Sequence, residues 1–247
     1  MRALLGVTVF IPALALGAQA PGKWPPDSLL NLQVLPKNAS PTQVWGNMRN
    51  IAGGLGVECT FCHVGPAGAP LERIDFASDE KRNKLVARQM MRMVQEVNRR
   101  LDSLPGKPTP AVTVTCATCH RGVSRPVPLA NIIAEVATAA GADSAIRTYR
   151  ALRERHYGRD AYDFGELSLN SAAFRVARAG KTDDALALLR VNEQLFPNTA
   201  ALSIIRGNVH LMRADTTSAA ASFREAIRRD PANDEAPGRL RDIGRSP

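Results

Sequence analysis

The chain has 247 residues, 45% of them hydrophobic, and beyond the N-terminus no apolar stretch long enough to span a membrane is expected, which points to a soluble protein of one or two domains. Its formal charge of +9 is uneven: residues 1–130 carry 15 Lys/Arg against 8 Asp/Glu, and residues 131–247 carry 17 against 15. Such an excess can mark phosphate contact; without a nucleic-acid motif it reads as solvated helix faces or as a surface for an acidic protein partner, and nucleic acid is excluded.

The N-terminus reads as an export signal. Arg2 opens the apolar run from Ala3 to Leu16, which is short for a membrane span, and Ala18-Gln19-Ala20 closes it as a cleavage pattern. The expected signal peptide is 1–20, with periplasmic or extracytoplasmic localisation; Pro21 suits cleavage poorly, so an uncleaved anchor is the alternative. Trp24-Pro25-Pro26 and the stretch from Pro36 to Pro41 break regular structure. Ser40 then reads as an N-cap with Pro41 at the first helical position, and Val44, Met48 and Ile51 share a face until Gly53-Gly54-Leu55-Gly56 ends the helix.

Cys59-Thr60-Phe61-Cys62-His63 follows at once, and Cys116-Ala117-Thr118-Cys119-His120 repeats the pattern. C-x-x-C-H is the attachment signature of c-type haem: two thiols three residues apart form thioethers with the vinyl groups, and the adjacent His supplies an axial nitrogen. All four cysteines lie in these motifs, which leaves none for a disulfide or a lipid anchor. A zinc site of four thiolates would leave both His unexplained. The expected cofactors are therefore two covalently bound haem c groups, held by Cys59, Cys62, Cys116 and Cys119, with His63 and His120 on the irons. Covalent attachment outside the cytoplasmic membrane agrees with the export signal.

Between the motifs a helix is expected from about Asp79 to Leu101. Val86, Met90, Met93, Val97 and Leu101 form one face, and Lys81, Arg88, Arg92, Arg99 and Arg100 face water. A loop from Pro105 to Pro110 and the β-branched run Val112–Thr115 lead into the second motif. Each motif thus follows a Met-bearing helix. A thioether is a common sixth ligand and raises the reduction potential; Met48 is the candidate for the first iron, and Met90, Met91 and Met93 are candidates for the second.

Four stretches resemble the photosynthetic reaction-centre cytochrome c subunit family: Asn47–His63, Phe76–Asp79, Ala87–Asn98 and Val114–Gly122. The resemblance covers roughly 28–127. It implies Met48 on the first iron and the first Met of the M-x-x-M pair, Met90, on the second, with Met93 as runner-up. That subunit carries four haems in two pairs and takes one His ligand from elsewhere. This chain has one pair and no spare His in its haem half, so it reads as a two-haem relative.

Residues 131–247 change character. A period of 34 relates Ala185 to Ala219, Leu189 to Phe223, Pro197 to Pro231 and Ala173 to Gly207, which resembles tetratricopeptide repeats. Gly180–Asp183 reads as a turn between paired helices, and a degenerate earlier pair runs from Leu129 to about Arg155 with Ala145 and Tyr149 at the small and large positions. His210 is expected to pack within a repeat and His156 to lie near a helix end, neither as a ligand.

The expected fold is mainly α: a multihaem cytochrome c domain of short helices and long loops over 21–128, then a helical tetratricopeptide-like repeat domain over 129–247. The expected function is one-electron transfer rather than catalysis, with redox protein partners, a membrane-bound electron-transfer complex among them, and self-association or partner binding through the repeats. The alternatives are a haem enzyme such as a dihaem peroxidase, and a structural subunit of a cytochrome assembly or filament.

Overall fold

The computed structural model describes residues 29–107 and 109–246. The expected signal peptide, Trp24-Pro25-Pro26, and Pro108 of the expected loop lie outside the described residues. The chain is mainly helical and forms two compact units, residues up to 52 with 58–114, and residues 53–57 with 115 onward.

Helix α1 (Pro41–Leu55) starts where Ser40 and Gln43 close a capping box: the Gln43 N–H donates to Ser40 Oγ at 3.3 Å, and the Ser40 N–H donates to Gln43 Oε1 at 2.9 Å. Gly56, at φ 64°, ends the helix in the left-handed conformation that glycine adopts without strain. Helix α2 (Arg82–Asp102) begins three residues later than expected. Asp79 does not start the helix. It is an anchor for two cations further along, and the extended Lys81 caps the first turn instead.

The first unit has one buried hydrophobic side chain among the described residues, Ile74, and the other side chains it buries are Lys84 and Arg88. Arg88 therefore does not face water as expected. Its guanidinium donates to Asp79 Oδ2 at 2.8 Å and to the Asn31 carbonyl at 3.2 Å, which offsets its desolvation. The apolar row on α2 is the exposed one: Val86, Met90, Met93 and Val97 are all at least one-third open to solvent.

The second unit opens on the short helix α3 (Cys116–His120) and continues through α4 (Leu129–His156), α5 (Glu166–Arg178), α6 (Thr182–Leu195), α7 (Ala200–Met212), α8 (Thr216–Arg229) and α9 (Glu235–Asp242). By length and composition α4 reaches a mean hydropathy of 1.2 over a membrane-length window, which the expectation of no such stretch had not allowed for. Gly141, at φ 81° and ψ 169°, breaks it into two helices, and one face joins the core through Ile133, Ala137, Ala145 and Tyr149.

Of the positions separated by 34 residues, three pairs are buried, and Pro197 and Pro231 are exposed. Ala173, Ala185, Leu189, Ala219 and Phe223 are fully buried, and so are Ala145 and Tyr149 of the earlier pair to within 2%. Gly207 shows why a small residue is needed opposite a large one: a Cβ there would stand 2.5 Å from the Phe223 ring. Gly180, at φ 82°, makes the turn between α5 and α6.

Candidate functional site

Both C-x-x-C-H motifs fold as a single helical turn. In the first, Cys59–Phe61 is a 3₁₀ turn, and the His63 N–H donates to the Cys59 carbonyl at 3.0 Å. In the second, α3 itself is the motif, and the Thr115 N–H donates to Thr118 Oγ1 at 2.9 Å to brace its start. Residues three apart on such a turn share a face, so each pair of thiols points one way with the His following directly. All four thiols are free. Burial pushes the Cys62 and Cys116 thiols up from their ordinary value. Among the described residues no three of His, Cys, Asp and Glu gather as a metal cage.

The imidazoles fit axial ligation. His120 Nδ1 lies 2.9 Å from the Val123 carbonyl, which fixes Nδ1–H as donor and leaves the Nε2 lone pair free for a metal. Arg121, at φ 50°, and Gly122, at φ 84°, turn the chain back so that Val123 reaches that position. The Nδ1 of His63 is buried, and the Phe76 backbone lies beside the ring. Burial, together with the Lys84 ammonium, pushes His63 down to about 4, so the ring is neutral at physiological pH. The Phe76 ring stands edge-on to it at 4.9 Å between centroids. Four free thiols and two imidazole donors, each on a C-x-x-C-H turn, are the donor set that covalently attached haem requires.

Several residues that hold these turns were not singled out from sequence. Lys81 Nζ donates to the Thr60 carbonyl, and Asn83 Nδ2 donates to the Phe61 carbonyl at 3.1 Å, so the first turn of α2 grips the first motif from within. Asn98 grips Val114 twice, accepting from its N–H at 2.7 Å and donating to its carbonyl at 2.9 Å. The end of α1 seats the second motif. The Gly122 N–H donates to the Gly54 carbonyl at 2.9 Å, and a Cβ on Gly54 would stand 2.9 Å from the Ala117 nitrogen. Lys81, Lys84 and Arg88 recur at steps of three and four and so share one face.

The candidate methionines are placed unevenly. Met48 is half-buried on α1, in the same unit as His63. Met90 is 40% exposed and Met93 51% exposed on the apolar row of α2, in the first unit, whereas His120 belongs to the second. His156 ends α4 with its ring edge-on to Tyr162, and His210 lies on α7 with Nδ1 3.6 Å from Asp215 Oδ2.

Comparison with known proteins gives two matches. The family model "Photosynthetic reaction centre cytochrome C subunit" matches residues 69–153, which hold α2, the second motif and most of α4. Cytochrome c-554 of Chloroflexus aurantiacus is 37% identical over 108 residues, 42% of this chain. The chain spans only 23% of the length of that relative. Over residues 69–153 this chain is thus similar to the reaction-centre cytochrome c subunit family.

Proposed function

We propose that this chain is an exported two-haem c-type cytochrome that passes single electrons between redox proteins outside the cytoplasmic membrane. The observation that carries the reading is the pair of C-x-x-C-H turns, each with its thiols free and an imidazole directly after them. Cys59 and Cys62 attach one haem, and Cys116 and Cys119 the other. His63 and His120 bind the irons. Met48 is the opposite ligand of the first iron. Met90 is that of the second, with Met93 as runner-up, an assignment that rests on the family resemblance and the order of segments. Bound haem supplies the one-electron iron couple; the chain supplies ligands, burial and a docking surface.

With both axial positions filled, no iron position is open to oxygen or peroxide, which favours a carrier over a dihaem peroxidase. The helix pairs from α4 to α9 form the partner-binding or assembly scaffold, in the manner of tetratricopeptide repeats. Mass analysis and an absorption spectrum of the purified protein test the reading together. The expected result is a mass gain of two haems with low-spin spectra; a gain of one or none, or rapid cyanide binding, would overturn it.

Docking is proposed to run through the basic side of α2, in a narrower form than the sequence suggested. Arg88 is buried and takes no part. Arg92 is exposed, and Arg99 and Arg100, though 72% and 75% exposed, share Glu96 as a partner. Exposed charges steer association over a screening length of about 8 Å at physiological ionic strength. Electron transfer to an acidic partner is expected to slow as salt rises, and charge reversal at Arg92 and Arg99 to slow it at low salt. Stopped-flow rates indifferent to both would move docking to another surface.

A further inference from the structure

The first unit buries cations where a small domain ordinarily buries hydrophobic side chains. Lys84 and Arg88 are each 8% exposed. Lys84 Nζ donates to the carbonyls of Phe76, Ala77 and Ser78 at 2.9, 2.9 and 2.7 Å and lies 3.1 Å from Asp79 Oδ1. An ammonium has three protons to donate, and here backbone oxygens engage all three, so the charge is fixed in place. Arg88 pairs with the same carboxylate, which also accepts from Asn31 Nδ2 at 2.8 Å. Arg88 and Asn31 hold the Asp79 carboxyl well below the usual carboxylate range, so it stays ionised.

This cluster is directed at the first motif. Lys84 holds the carbonyl of Phe76, and the Phe76 ring packs on the His63 imidazole at an interplanar angle of 61°. Asp75, whose Oδ1 accepts from the N–H groups of Ala77 and Ser78 at 2.9 Å each, braces the same segment. The charges around it are Lys81, Lys84 and Arg88 against Asp75 and Asp79. Removing any one cation makes this surrounding more negative by one unit, whatever the total.

We propose that Lys84 is a positioning residue that raises the reduction potential of the first haem, by holding a buried positive charge behind Phe76 and the axial His63. The proposal rests on the haem reading of the first motif. One-electron reduction takes the iron from ferric to ferrous and lowers its charge by one, with no bond made or broken. A nearby cation therefore favours the ferrous form, and burial weakens the screening that water would provide.

Potentiometric titration of the full chain carrying both haems tests this. In Lys84→Met, one of the two redox transitions is expected to move to lower potential while the other stays, with haem mass and low-spin spectrum unchanged. Lys84→Arg, which keeps the charge, is expected to restore most of the shift. Two unmoved transitions would overturn the proposal, as would a Lys84→Arg shift as large as that of Lys84→Met. If Lys84→Met does not load haem, Arg88→Gln carries the same expected direction with the Lys84 scaffold intact, and an unmoved transition there is equally decisive. Failure of the haem reading itself is seen separately, as an unaltered chain without haem mass on the peptide containing Cys59 and Cys62.

Discussion

Phe223→Ala is expected to unfold the last helix pairs at a temperature roughly 10–20 °C lower than in the unaltered chain. Phe223 is fully buried, with Ala219, Ala220 and Ala226 of α8 and Ala236 and Leu240 of α9 in the same cluster. Its ring fills the space left by the missing side chain of Gly207. Small residues elsewhere in this cluster cannot refill that volume, so the substitution adds a cavity to the lost transfer energy, about 3–5 kcal/mol in all. That is a large part of the about 5–15 kcal/mol that holds a domain folded. Thermal melting by circular dichroism measures it. The complementary change Gly207→Ala forces its Cβ on the same ring and should destabilise the chain alone but less so when paired with Phe223→Leu. Additive losses in the double variant would show that the two positions do not share a contact.

Met48→Ala is expected to convert one haem from low to high spin, lower its potential and open it to carbon monoxide. Alanine keeps α1, since it is the better helix former, and removes only the thioether. Thioether ligation favours ferrous iron, so its loss shifts the couple downward. Spectra in both oxidation states and a carbon monoxide titration give the answer within one preparation. A variant that keeps its low-spin spectrum and its potential would remove Met48 from the first iron.

Much of the local architecture could be read along the chain because its causes are local. Ser40 reads as an N-cap, and it caps α1 together with Gln43, three residues on. Ala173, Ala185 and Ala219, singled out by the 34-residue spacing, are buried. The thiols and imidazoles of the two motifs are legible for the same reason. The place of Arg88 was not: expected to face water, it is buried beside Lys84, and the two cations meet Asp79 and Asn31. Asn31 lies 57 residues before Arg88. A partnership over that separation leaves no periodic trace, and charged side chains are read as solvent-facing unless the partner is known.

The glycines at the end of α1 bear on how such chains could be recognised and varied. A Cβ on Gly56 would stand 2.0 Å from the Gly122 carbonyl oxygen, and φ of 64° disfavours any side chain there even with space. Gly53, one residue before the crossing, has nothing within 4 Å of its Cβ direction. In a saturation library spanning this stretch, position 53 should accept most residues and position 56 almost none, and the variants lost at 56 should be those whose second motif is unseated. The pair Gly54-x-Gly56, printed a few residues before the first C-x-x-C-H, is in this way a signature belonging to the second. A chain that keeps both motifs but fills position 56 would need a different way to seat Gly122.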